Sequence, residues 1–332
     1  MKKYRDTDYL HGSARVRALE NGMVTRRDFQ KMIDAKTAEE AYKVLADAPI
    51  CRGIPMEEYE KGLERSLGEA YRLVEEIAPT GGLAELFRCR YDGHNLKAAV
   101  KARKTGGGAR GIYSSLGSLP AEEAVRGLEE GRLEGLPGSL AQAALEALDI
   151  LARTGDPQAV DIRIDRGVLE AMTQKAEELG NLFVKKYVAA QVDIANIRAA
   201  VRLKRLLKST QFLEKVLVPG GGLPVSALAE AYPKGYDAIF GVISASPYGR
   251  ALEPAFDSIR GGGSLSLFEK LCDNALVAML DEARTIPFGM EPMAAYLAGK
   301  ESEAKAARIV MASKLAGAEP QQITERLRET YG

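Results

Sequence analysis

One phrase is written twice in this chain, and it constrains the fold more than any other feature. Residues 91–104 read YDGHNLKAAVKARK and residues 192–205 read VDIANIRAAVRLKR. Each carries an acid, Asn three residues on, then Ala-Ala, then two basic residues. The two asparagines, Asn95 and Asn196, stand 101 residues apart (95 to 196). A step of similar size leads to Glu291 in FGMEPMAAYLAGK, where Ala294-Ala295 and Lys300 follow in the same order. Phe288 replaces the acid in that third echo, and Pro292 aligns with Leu96 and Ile197.

An internal period of this size implies a repeated architecture. Other segments recur in step with it. Long stretches opening EKGLERSLGEAYRLV at 60, DRGVLEAMTQKAEEL at 165 and EKLCDNALVAMLDEA at 269 space their apolar residues by three and four, the mark of an amphipathic helix. Upstream of each lies a shorter helix–turn–helix stretch, at 25–50, 112–131 and 224–244. Thr37 with Glu40 forms a capping-box pattern, and Pro120 suits a first helical turn. Glycine clusters at 106–108 and 220–222 fall near the junctions, and 261–263 breaks the last unit. The chain therefore reads as all-α, in three similar helical units: 1–107, 108–209 and 210–332. Ala, Leu, Glu, Lys and Arg dominate and Trp is absent, which also favours helix.

Asp92, Asn95, Asp193, Asn196 and Glu291 are the residues that the repeat singles out. A catalytic reading would add His94, but Ala195 stands in its place in the second copy. A structural reading has two forms. In one, Asn95, Asn196 and Glu291 start helices, as N-cap residues do, with Leu96, Ala99, Val100 and Arg103 on one face. In the other, a helix runs through Asp193 and the Asp–Asn pair is a hydrogen-bonded polar inset. The small Ala pair would let a neighbouring helix approach closely.

Other chemistry finds little support. GGGARG at 106–111 matches G-x-G-x-x-G but follows a helical pattern, without the strand that a dinucleotide site requires. P-loop, nucleophile-elbow, zinc-protease and kinase signatures are absent from the sequence. Three cysteines without C-x-x-C, and two histidines, indicate neither a disulfide framework nor a metal site. Lys+Arg and Asp+Glu number 46 each, which argues against a nucleic-acid partner. No apolar run reaches the roughly 20 residues that a spanning helix needs. The basic stretches KAARIVMASK (305–314) and RLKRLLKS (202–209) read as solvated faces of amphipathic helices. Leu223, Pro224, Ile243 and Pro247 are candidate interaction residues in loops.

Four phrases in order carry a resemblance: YLHGSARVRALENGMV (9–24), RYDGHNLKAAVKARKTG (90–106), AAQVDIANIRAAVRLKR (189–205) and PFGMEPMAAYLAGKESEAKAARIVMASKLAG (287–317). Together they span nearly the whole chain, which resembles the C subunit of archaeal and bacterial A/V-type rotary ATPases, related to the d subunit of the eukaryotic vacuolar enzyme. The resemblance implies three similar helical domains with pseudo-threefold symmetry, forming a funnel. It implies a non-catalytic connector without cofactor or metal, peripheral on the cytoplasmic face of a membrane and present once per complex. Its partners would be the rotor-ring and central-stalk subunits, and its task the transmission of torque. The competing readings are a helical scaffold outside rotary motors and an all-α enzyme using Asp92, His94 and Asn95.

Overall fold

Helices form wherever the sequence supplies a cap and an apolar stripe. The computed structural model describes residues 5–105 and 112–332, so the GGGARG stretch lies outside the described residues. In chain order the α-helices are α1 (Leu10–Glu20), α2 (Arg26–Asp34), α3 (Ala38–Asp47), α4 (Tyr59–Ile77), α5 (Leu83–Thr105), α6 (Ala121–Glu130), α7 (Gly138–Thr154), α8 (Pro157–Leu179) and α9 (Leu182–Arg205). There follow α10 (Thr210–Val216), α11 (Val225–Ala231), α12 (Tyr236–Ser244), α13 (Gly249–Arg260), α14 (Ser266–Ala278), α15 (Asp281–Arg284), α16 (Met290–Leu315) and α17 (Pro320–Arg326). The fold is all-α, and among the described residues there is no strand.

Local chemistry explains most boundaries. Thr25 and Asp28 form a reciprocal capping box at the start of α2. Thr37 accepts from the Glu40 amide, but the Glu40 carboxylate turns to the Lys36 amide instead, so that box is only half made. Pro120 is the N-cap of α6, one residue earlier than a first-turn position. The expected long helices appear as α4, α8 and α14, the last stopping at Ala278. In 112–131 the expected first short helix is absent. Its backbone groups are taken instead by side chains of α5, as described below.

The chain folds into two compact units, Met1–Gly81 with Phe240–Gly332, and Gly82–Ile239. Each draws on more than one of the three sequence spans. In the first, α16 is the central element, packed by α1, α2, α3 and α4. It is buried along most of its length, from Met290 through Met311, with Lys305 and Arg308 exposed. Its alanines and Gly299 keep it slim; a Cβ on Gly299 would press into the Tyr331 ring. In the second unit α8 packs against α5 and α7, with α9 beside it. Gly93 marks a close crossing on α5, since a Cβ there would collide with the Val168 side chain.

The basic stretch of α16 is largely paired rather than merely solvated. Lys305 meets Asp273 at 2.7 Å and Arg308 meets Glu60 at 2.9 Å. Lys314 Nζ donates to the Ile33 and Ala35 carbonyls at the end of α2, at 2.6 and 2.5 Å, a cation closing a helix C-terminus. Of the candidate interaction residues, Leu223 and Ile243 are buried in the core, while Pro224 and Pro247 are exposed.

Candidate functional site

The repeated phrases lie inside helices, not at their starts. Asp92 and Asn95 sit mid-way along α5, and Asp193 and Asn196 mid-way along α9, whose N-cap is Asn181. The helix-start reading is therefore corrected for both. The reason is local: the residues upstream, such as Leu86, Phe87 and Val188, are apolar and buried, so packing carries each helix through the phrase. A carboxylate and an amide three residues apart then share one face. That face is buried: Asp92 and Asp193 are 2% exposed, Asn95 and Asn196 1%.

Buried polar groups need partners, and here a loop supplies them. Asp92 Oδ1 accepts from the Ser118 and Leu119 amides at 2.7 and 3.2 Å. Asn95 accepts from the Ser114 amide at 2.8 Å and donates to its carbonyl at 2.9 Å. On α9, Asp193 accepts from the Gly222 and Leu223 amides, both at 2.9 Å. Asn196 accepts from the Val218 amide at 2.9 Å and donates to its carbonyl at 2.7 Å. The two clasps share one register. Asn grips the residue six before the next helix's N-cap, and Asp grips the last two before it; those N-caps are Pro120 and Pro224.

Gly221 shows how closely the second loop approaches, because a Cβ there would collide with Asp193 Oδ1. Asp92 carries a further strain. Burial pushes its carboxyl above the usual range, against the Leu119 and Ser118 amides and Arg88, which favour the charged form. Its Oδ2 is buried without a hydrogen-bond partner.

A third loop is gripped by α16. Glu303 Oε1 accepts from the Val24 amide at 2.6 Å, and its other oxygen pairs with Lys300 Nζ. Val24 is the last residue before Thr25, the N-cap of α2. That is the position that Asp92 and Asp193 grip in their loops. Glu303 and Lys300 are 0% and 6% exposed. Glu291 stands in the first turn of α16, twelve residues earlier in the chain, and Pro292 is the third residue of that helix.

The sequence profile of the ATP synthase (C/AC39) subunit family matches residues 13–326. The chain belongs to that family. It is 25% identical to the C subunit of the A-type ATP synthase of Thermococcus gammatolerans, over 99% of this chain and 92% of that one. It is 24% identical to the C subunit of the V-type sodium ATPase of Enterococcus hirae, over 95% and 97%. The C subunit of the A-type ATP synthase of Methanothermobacter thermautotrophicus is 26% identical over 92% and 84%.

In this C/AC39 subunit the Lys300–Glu303 clasp is what sequence reading overlooked. Its signal was legible: Lys305-Ala306-Ala307 repeats Lys97-Ala98-Ala99 and Arg198-Ala199-Ala200. Glu303 then falls where Asn95 and Asn196 stand, and Lys300 where the aspartates stand. The earlier Ala-Ala at 294–295 drew the register to Glu291 instead.

The Asp92–His94–Asn95 set does not converge on one reacting point. His94 is exposed and its Nε2 lies 2.8 Å from the Ile112 carbonyl, while Asp92 is buried against 118–119. All three serve the same loop. Among the described residues no His/Cys/Asp/Glu group could hold a metal ion. The three cysteines are buried, and burial pushes the Cys51 and Cys89 thiols up to about 11 and about 12.

Proposed function

We propose that this chain is the non-catalytic connector of an A/V-type rotary ATPase. In that reading it joins the central stalk to the membrane rotor ring and transmits torque for ATP-coupled H⁺ or Na⁺ transport. The observation that carries it is the family match over residues 13–326, with C-subunit relatives aligned across more than nine-tenths of this chain. The helical body suits the task, since a torque-bearing part needs packed elements with low compliance. Among the described residues no helix is long and apolar enough to cross a membrane. The proposal therefore attaches the chain to the cytoplasmic face through its partners, one copy per complex.

The reading includes three similar domains, 1–107, 108–209 and 210–332. The clasps support it by their order. A long helix late in each span grips a loop in the first part of another: α5 grips 114–119, α9 grips 218–223, and α16 grips Val24. Affinity purification of the membrane ATPase from its native host tests the proposal. The chain should be retained with both ring and stalk subunits; its absence, with no binding to either, would overturn the reading.

A further inference from the structure

Ser66 and Tyr296 are buried residues whose hydroxyls the fold does not use. They are 8% and 6% exposed, and among the described residues neither hydroxyl has a hydrogen-bond partner. Buried polar groups in native proteins nearly always have one. Both residues line one cavity of about 450 Å³ between α1, α4 and α16, within the first unit. A cavity of that size suits a small organic molecule.

The charges around the cavity say which kind. Arg15 of α1 and Arg72 of α4 line it, and neither has a carboxylate within ion-pair reach among the described residues. The other charged groups in the wall are mostly committed: Lys300 pairs with Glu303, and Glu69 lies 3.8 Å from Arg65. Glu76 is the one unpaired acid there, against two unpaired cations. The two arginines also share a place. The first turn of α1 lies against the end of α4, since a Cβ on Gly12 would meet the Ile77 carbonyl at 3.1 Å. Arg15 follows Gly12 by three residues and Arg72 precedes Ile77 by five, so both stand toward that end of the cavity. Ser66 and Met23 stand toward the other. Between the ends the wall is apolar, with Leu19, Ala70 and Leu73. An inorganic anion would leave that apolar wall unused, and a neutral molecule would leave the guanidiniums unused.

We propose that this cavity binds a small organic anion with an apolar body. Arg15 and Arg72 hold its carboxylate or phosphate, whose oxygens match the guanidinium donors. The body lies along Leu19 and Leu73, and the Tyr296 and Ser66 hydroxyls supply hydrogen bonds. Occupancy also reaches the third clasp. Met23 lines the cavity beside Val24, and Lys300 belongs both to the cavity wall and to the ion pair with Glu303, which holds the Val24 amide. A bound anion therefore stiffens that loop. The site stands apart from the connector reading, and neither depends on the other.

Isothermal titration of the full chain tests it, with phenyl phosphate and benzoate as the two head groups, and inorganic phosphate and benzyl alcohol as controls. At least one aromatic anion should bind with a Kd near or below about 1 mM, and both controls about tenfold more weakly or not at all. Arg15→Gln and Arg72→Gln, at exposed positions where the fold should tolerate them, should each weaken binding about tenfold. Arg26→Gln, exposed and outside the cavity, should leave it unchanged. The bound anion should also slow hydrogen exchange at the Val24 amide. Three results would overturn the proposal: no binding of either aromatic anion, binding of inorganic phosphate or benzyl alcohol just as tight (an adventitious ion only, or apolar adsorption), or affinity unchanged in both cavity variants.

Discussion

Truncating Asn196 to alanine isolates what one clasp contributes. The Asn196 amide makes both bonds to Val218, at 2.7 and 2.9 Å, and the two residues are 1% and 3% exposed. Alanine would strand a buried N–H and a buried C=O together. Each stranded group costs about 1–3 kcal/mol, so the loss is about 2–6 kcal/mol. Native-state hydrogen exchange reads this at the loop itself, because the Val218, Gly222 and Leu223 amides are the ones held. At 1.4 kcal/mol per factor of ten, their protection should fall at least about 30-fold. His94→Ala is the matched control: it removes one exposed bond to Ile112 and should change stability by less than about 1 kcal/mol. If Asn196→Ala loses less than about 1 kcal/mol, or no more than His94→Ala, the loop is not held by this pair.

Three further outcomes follow from the same geometry. Lys300→Met should destabilise by about 3–5 kcal/mol, because it leaves the Glu303 charge buried; adding Glu303→Gln should recover about 1–3 kcal/mol of that in urea titrations, whereas additive losses would contradict the coupling. The Asp92 carboxyl is raised above its ordinary value of 3.8 chiefly by burial. Its protonation therefore stabilises the fold fully below that value, and the contribution fades as pH rises through the folded value. The urea midpoint of the native chain should fall relative to Asp92→Asn as pH rises above about 4, and a flat difference would refute the shift. Cys51 and Cys89, with thiols at about 11 and about 12, should stay unalkylated by iodoacetamide at about pH 8 until denaturant is added, because the thiolate is the nucleophile; rapid adducts by intact mass would show otherwise.

The all-α class was legible in the sequence because helix propensity and the apolar periodicity of α4 and α8 agree with their packing. The two Asp–Asn phrases were legible as a repeat, and the missing histidine of the second copy favoured a structural reading of them. Their position in the helix was not. A buried polar pair and an N-cap draw on the same residue types, and what separates them is burial of the flanking turns, a tertiary property. The third clasp stayed hidden because Lys300 and Glu303 replace an Asp and an Asn with a buried ion pair, and chemically equivalent roles need not share letters.

The connector claim is most directly tested by coupling. ATP hydrolysis and ATP-driven ion uptake would be measured on proteoliposomes carrying the complex with and without this chain. The account predicts that removal leaves the head hydrolysing ATP while ion uptake is lost, and that adding the purified chain restores uptake. Ion uptake that persists at full rate without the chain would contradict it.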